Sequence, residues 1–130
     1  MAPKTRQVVN GDDANLAALG YKLNVATKTA AYTVLASESG KVFEADAAAS
    51  VVFTLPATSP GLVYTFVVKQ LPGSGVGTSI SPNANDKFIG NGFTPADDKD
   101  AINTAASDRL GDSITIVGDA SGDGWWITAV

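Results

Sequence analysis

The clearest alternation of buried-type and polar positions lies in residues 50–69. Two runs of β-branched and aromatic residues repeat there with a period of two, which predicts strands with one buried face each. Between them, residues 56–61 (PATSPG) contain two prolines and a glycine, which remove hydrogen-bond donors and permit a turn. The stretch therefore predicts a central β-hairpin. Its buried face would carry Val51, Phe53 and Leu55 from the first run and Leu62, Tyr64, Phe66 and Val68 from the second.

Shorter segments with strand character lie on both sides of this stretch, and the last two flank a turn at residues 118–124. Residues 90–107 are polar and small, and they predict a long loop. Many short strands separated by turn residues are typical of a small antiparallel β-sandwich or barrel. The other strands are predicted at residues 21–28, 32–36, 41–45, 78–81, 87–89, 112–117 and 125–130.

Charge divides the chain of 130 residues unevenly. Residues 1–28 carry a net charge of +2, whereas residues 29–130 carry −6. Residues 1–20 are predicted to be an N-terminal arm, and residues 21–130 a single β domain. A basic tail on an acidic body fits an arm that docks on another protein, although a solvated terminus explains so small an excess equally well. The acidic body disfavours nucleic acid as a partner.

The chain contains neither histidine nor cysteine. The absence of histidine removes the usual general base and the commonest metal ligand, and it excludes serine–histidine and cysteine–histidine nucleophile pairs. An enzyme is therefore the least favoured class of function, and no metal or other cofactor is expected. No apolar run is long enough to span a membrane. The N-terminal segment lacks the apolar stretch of a secretory signal, so neither membrane insertion nor secretion by that route is expected.

One turn resembles the first half of a calcium-binding loop. Asp119, Ser121 and Asp123 stand at the spacing of the first three oxygen ligands and are followed by Gly124. Such a loop needs a bidentate glutamate at its twelfth position, and this chain has Val130 there. Because both flanks predict strands rather than helices, a hairpin turn is the favoured interpretation and an incomplete cation site is the alternative.

A second group of carboxylates, Asp97, Asp98 and Asp100, lies within the predicted loop at residues 90–107. Together they could bind a divalent cation or act as paired acids. Paired acids need one member in an apolar pocket that raises its pKa, and the neighbouring residues here are small or polar. A solvated acidic loop is therefore the favoured interpretation.

Two adjacent tryptophans, Trp125 and Trp126, open the last predicted strand. Side chains alternate between the faces of a strand, so one indole would join the core and the other would point outward. An outward indole would either stack on a sugar or lie against a neighbouring subunit. Core or subunit packing is favoured, because the remaining aromatic residues are scattered rather than gathered into a sugar-binding platform.

The chain from residue 32 to residue 130 resembles a β module found in tailed-phage virion proteins. The resemblance covers about three quarters of the chain and depends on the order of several short motifs. These motifs are SGKVF (39–43), VFTLP (52–56), GLxYxFVV (61–68), IxPN (80–83), DxxI (86–89), DSITI (112–116) and GWWI (124–127).

A β domain behind a short N-terminal arm is similar to the head decoration, or cement, proteins of these phages. The resemblance implies a homotrimeric structural protein on the capsid exterior that contacts the major capsid protein and stabilises the shell. Lys4, Arg6, Val8 and Val9 in the basic, alternating arm are then the candidates for capsid contact, and Trp125 and Trp126 for the subunit interface. A tail fibre or spike domain from the same module group, or a carbohydrate-binding module, is the alternative.

Overall fold

The computed structural model describes residues 22–73, 76–104 and 106–130. The predicted arm at residues 1–20 lies outside this part. The described residues form ten strands and one turn of 3₁₀-helix, Ala36–Glu38, which confirms the all-β fold. The strands are β1 (Val25–Lys28), β2 (Tyr32–Thr33), β3 (Val42–Ala45), β4 (Val52–Thr54), β5 (Val63–Val68), β6 (Val76–Ser81), β7 (Phe88–Ile89), β8 (Ala101–Thr104), β9 (Ser113–Gly118) and β10 (Trp125–Ala129).

Two sheets pack against each other as a sandwich. The large sheet has the strand order β1-β3-β5-β9-β10-β7, and the small sheet has the order β2-β4-β6-β8. The expectation of antiparallel sheets is wrong, because both sheets are mixed. β1, β3 and β5 run parallel in the large sheet, and β2, β4 and β6 run parallel in the small one. From β1 to β6 the chain alternates between the two sheets and re-enters each sheet in the same direction.

The first six strands therefore wind into three rungs, each with one strand in either sheet: β1 with β2, β3 with β4, and β5 with β6. We call this part the ladder. In the large sheet Val25 aligns with Val42 and Val42 with Thr65. In the small sheet Tyr32 aligns with Phe53 and Phe53 with Ile80. Between two paired strands of one sheet, the chain forms a strand in the other sheet. This agrees with the long connections that parallel paired strands need.

The predicted hairpin at residues 50–69 is wrong, although both of its strands exist. β4 pairs with β2 and β6 in the small sheet, whereas β5 pairs with β3 and β9 in the large sheet. The break at residues 56–61 carries the chain from one sheet to the other instead of turning it back. Alternation correctly identified the buried positions, but those of the two strands face each other across the core, with the Phe53 and Phe66 rings 4.9 Å apart.

The core lies between the sheets and is mainly aromatic. Phe43 has no exposed surface and lies within 5.6–6.4 Å of four other rings, measured between centroids. It stacks on Phe66, its partner in the next rung, at an interplanar angle of 16°. Such ring pairs contribute beyond their buried area. The largest fully buried side chains are Trp125, Tyr64, Phe43, Phe53, Phe66 and Ile116.

The C-terminal hairpin folds as predicted, but the predicted loop before it does not. β9 and β10 form an antiparallel hairpin in which Gly118 pairs with Trp125. The predicted loop at residues 90–107 contains a strand, β8, which pairs antiparallel with β6. Its one fully buried residue is Ala101 and the next inward residue is Asn103, so the segment lacks the apolar alternation that would have revealed it. The partner strand, rather than local sequence, makes this segment extended.

Candidate interaction surface

The outer face of the large sheet carries almost no charge. Inward and outward residues alternate along each strand, and the register aligns the outward residues of neighbouring strands into rows. We call this surface the outer face. Its residues are Val63, Val117, Trp126 and Ile89 in one row, Val25, Val42, Thr65 and Thr115 in a second, and Thr27, Glu44, Val67 and Ser113 in a third.

Glu44 is the one ionisable residue among these positions. Its carboxylate accepts hydrogen bonds from the Thr27 hydroxyl at 2.7 Å and from Lys69 at 3.3 Å. These two hydrogen bonds, in that order of importance, hold the pKa of Glu44 below its usual value, so it is ionised at neutral pH. The Thr65 and Thr115 hydroxyls bond each other at 2.9 Å, which leaves fewer polar groups for water on this face. In its scarcity of charge this surface resembles the core of a protein interface.

Trp126 is the largest exposed group on the outer face, with 45% of its surface accessible. Its indole N–H donates to Asp119 Oδ1 at 2.6 Å. The ring lies beside Gly90, where φ is +94° and where an added Cβ would be in van der Waals contact with the indole, 3.6 Å away. Asn91 donates to the Ile127 carbonyl at 2.8 Å and so fixes this turn beside β10. The indole is thus held in place before any partner binds, which lowers the entropy cost of binding.

Trp125 points the other way, as alternation predicts. It has no exposed surface, and its ring centroid lies 5.8 Å from that of Tyr64 in the core. The assignment of Trp125 to a subunit interface is therefore wrong, because the chain's own core covers it. The assignment of Trp126 stays a prediction. Lys4, Arg6, Val8 and Val9 lie outside the described residues.

The turn that resembled a calcium loop is engaged in bonds of its own. Asp119 accepts hydrogen bonds from the hydroxyl and the N–H of Ser121 and from the Trp126 indole. These donors, the Ser121 hydroxyl first, hold the pKa of Asp119 below its usual value. Asp123 lies 3.3 Å from Lys87 and raises the pKa of that ammonium group. The segment is the hairpin turn between β9 and β10, and its carboxylates stabilise the turn and position Trp126.

The aspartates of the second acidic group are all exposed and diverge from one another. Asp97 lies 3.5 Å from Lys87, whereas Asp100 accepts a hydrogen bond from the Ser79 hydroxyl at 3.0 Å. Asp98 occupies a left-handed backbone conformation, with φ of 54°. In the part of the chain that the structure describes, no three acidic side chains converge as a metal site would require.

A cleft of about 410 Å³ opens between the sheets beside β8, a feature that no sequence motif indicated. Its interior is apolar, with Phe66 and Ile80 among the lining residues, and Arg109 and Asp112 lie at its polar side. Among the described residues the nearby Asp108 carboxylate has no hydrogen-bond partner, and burial together with the charge of Asp112 raises its pKa. The cleft joins strands that are distant along the chain, which explains why local sequence patterns did not reveal it.

Comparison with known proteins does not assign the chain to a family. No family model matches the chain, and no curated protein matches its sequence. Among the described residues, no helix has both the length and the apolar character that crossing a membrane requires.

Proposed function

We propose that this protein is a structural component of a tailed-phage virion, which binds the outside of the capsid as a homotrimer and stabilises the shell. The sequence resemblance to head decoration proteins supports the role. The outer face, with one ionisable residue and a rigid exposed indole, is the observation that carries the proposal. A protein contact can cover such a surface without desolvating charges at its centre.

In this proposal the copies of the trimer meet through the outer face, with Trp126 at the centre of the contact. Buried aromatic anchors commonly dominate the binding energy of such interfaces. The N-terminal residues Lys4, Arg6, Val8 and Val9 then contact the major capsid protein. Three arms on one trimer multiply contacts that are individually weak. Clamping a shell in this way requires no catalytic group, cofactor, nucleic acid or membrane.

The oligomeric state tests the first part of the proposal. Light scattering of the wild-type protein should give about three times the chain mass of 13.2 kDa. Trp126→Ala should shift the protein to monomers, because it removes the anchor of the contact. Leu110→Ala is the matched control, since Leu110 is also an exposed apolar residue, 66% accessible, but lies in the turn before β9. Wild-type protein that remains monomeric on purified capsids would contradict the trimer.

Co-sedimentation with purified capsids tests the second part. Deletion of residues 1–15 should abolish binding, and Lys4→Glu should weaken it about tenfold or more at low salt, because a rim charge acts mainly on association. Lys99→Glu makes the same charge change on an exposed loop of the body and should have little effect. Unchanged binding by the deletion variant would refute the role of the arm.

The ladder gives support to one alternative, a tail fibre or spike domain. Parallel rungs can be extended by adding further rungs at an end, which suits an elongated assembly. Electron microscopy of the purified protein would separate the two roles. Elongated particles would favour the fibre, whereas compact trimers that bind capsids favour decoration.

Trp126 also supports a second alternative, carbohydrate binding. A rigid exposed indole can stack on a sugar ring, and the turn around Asn91 offers polar groups beside it. Titration with a panel of glycans while following tryptophan fluorescence tests this function, since Trp125 is buried and Trp126 would report the binding. A saturable fluorescence change that Trp126→Ala removes would favour a carbohydrate-binding module.

A further inference from the structure

One end of the ladder is uncovered among residues 22–73, 76–104 and 106–130. β1 is the edge of the large sheet and β2 is the edge of the small sheet, and both belong to the first rung. We call this end of the molecule the open end. At the opposite side of the ladder β9 and β8 continue the two sheets, so the third rung is covered. The open end therefore exposes strand edges from both sheets at the same place.

Specific backbone groups of the open end lack partners among the described residues. The Val42 and Asp46 N–H groups donate to the carbonyls of Asn24 and Lys28, at 2.9 Å each. Because peptide groups along a strand alternate in direction, those of Val25 and Thr27 point away from β3. Unpaired edges of this kind are templates for a further strand, and natural proteins usually protect them with charges, prolines or bulges. Val25 and Thr27 offer no such protection.

The side chains at the open end are also incompletely covered. Ala26 occupies the position that Phe43 and Phe66 occupy in the next rungs, so the first rung contributes little to the core. The Tyr32 ring covers part of the gap, with the Lys28 ammonium 3.6 Å above it. Three large apolar side chains in or next to the first rung are each more than half accessible: Leu23, Val25 and Leu35. A further rung would cover these groups.

We propose that residues 1–21 of the same chain bind the open end as a further rung, with a strand paired in parallel to β1. Two observations select this occupant. The segment joins the described chain at Lys22, immediately before β1, so it is tethered beside the edge. It also contains enough residues for one step between aligned positions of successive rungs, such as that from Val25 to Val42.

The register of the added strand follows from the shortest of these steps, the one between β1 and β3. If the step from Val25 to Val42 is repeated towards the N-terminus, Val8 aligns with Val25 and Val9 with Ala26. Val9 then packs inward above Ala26, and Val8 points outward. Lys4 and Arg6 precede the paired positions and remain available to a partner. This inference goes beyond the proposed function and does not depend on it, although it leaves Val9 in the core rather than at the capsid.

Amide exchange measured by NMR on the full chain tests the proposal. The Val25 and Thr27 amides should exchange at least about tenfold more slowly in the full chain than after deletion of residues 2–15, because pairing protects edge amides. Cross-strand NOEs should join Val25 to residues 8 and 9. Equal exchange of both amides in the two proteins, or the absence of these NOEs, would overturn the proposal.

Two matched variants test the register. Val9→Asp should remove the protection of Val25 and Thr27, since it places a carboxylate against the core, whereas Val8→Asp should retain it. Equal effects of the two variants would refute this alignment. A mixture of isotope-labelled and unlabelled protein tests the source of the strand. NOEs between differently labelled copies would assign the open end to a neighbouring chain and refute the same-chain rung.

These outcomes remain separable from those of the proposed function. Protected amides without capsid binding would support the added rung and refute the decoration role. Capsid binding by a protein whose Val25 and Thr27 amides exchange freely would support the decoration role and refute the added rung.

Discussion

The ladder and the C-terminal hairpin are built from strands of similar composition, yet they find their partners in different ways. In the hairpin Gly118 pairs with Trp125 across one short turn. In the ladder each strand pairs with one that the chain reaches only after it has visited the opposite sheet. A ladder strand therefore depends on the whole core for its position, whereas the hairpin has a local connection of its own. Substitutions should expose this difference.

The largest effect is expected in the aromatic core of the ladder. Phe43→Ala should lower the free energy of unfolding by about 3–5 kcal/mol, because it removes a buried ring that lies beside rings from all three rungs. Ile127→Ala in the hairpin core should cost less, about 2–4 kcal/mol. Urea unfolding followed by tryptophan fluorescence measures both. A larger loss for Ile127→Ala would show that the ladder does not depend on its ring stack.

The contact between the two regions should give the next effect. Gly118 of the hairpin lies so close to the crossover at residues 56–61 that an added Cβ would clash with the Ser59 carbonyl oxygen. Gly118→Ala should therefore cost about 1–3 kcal/mol as the backbone shifts. Gly73→Ala is the matched control, since its Cβ would lie 3.9 Å from the Ala48 carbonyl oxygen. That variant should stay within about 0.5 kcal/mol of the wild type in the same urea titration.

A smaller effect, dependent on pH, is expected where the ladder turns between its first and second rungs. The Glu38 carboxylate accepts hydrogen bonds from the Tyr32 hydroxyl at 2.9 Å, the Leu35 N–H at 3.0 Å and the Lys41 ammonium at 2.8 Å. Burial alone would raise the pKa of Glu38, but these bonds, that from Lys41 first, outweigh it and hold the pKa below the ordinary 4.5. Glu38→Gln should cost about 1–3 kcal/mol at pH 7.

The sign of its pH dependence follows from linkage. Because the folded pKa of Glu38 is depressed, its contribution is present above pH 4.5 and is lost as the pH falls through the folded pKa. The difference in unfolding free energy between wild type and Glu38→Gln should therefore shrink below pH 4.5. Urea titrations at several pH values measure it, and a difference that stays constant down to pH 2 would contradict the role of these hydrogen bonds.

The smallest effect should be stabilising and lies beside the cleft. In the part of the chain that the structure describes, Asp108 has no hydrogen-bond partner, and burial and the charge of Asp112 raise its pKa above the ordinary 3.8. Its charged form therefore weakens the fold at neutral pH. Asp108→Asn should raise the melting temperature at pH 7, and the gain should vanish as the pH falls to 3.8. Thermal unfolding at pH 7 and pH 3.5 measures both, with Asp98→Asn as the exposed control.

Some parts of the fold and the surface could be predicted, since their signals are local. The period of two identified the buried positions of β4 and β5, and the glycine-rich turn identified the last hairpin. The same alternation placed one tryptophan in the core and the other outside. It could not reveal that Trp125 is the buried one, because both indoles suit either face. Asp119 and Gly90 fix the indole of Trp126 from different segments, so no local pattern connects the three residues.

By itself, the sequence determined the buried positions of β4 and β5, because each strand must turn its apolar side chains away from water whatever its neighbours are. It also determined the polar turns and the scarcity of charge along the strands of the large sheet. Only the tertiary structure decided which strands of the ladder are partners. The break at residues 56–61 is compatible with a hairpin or a crossover, and packing of Phe43, Phe53 and Phe66 in one core selects the crossover. The parallel rungs and the open end follow from that choice.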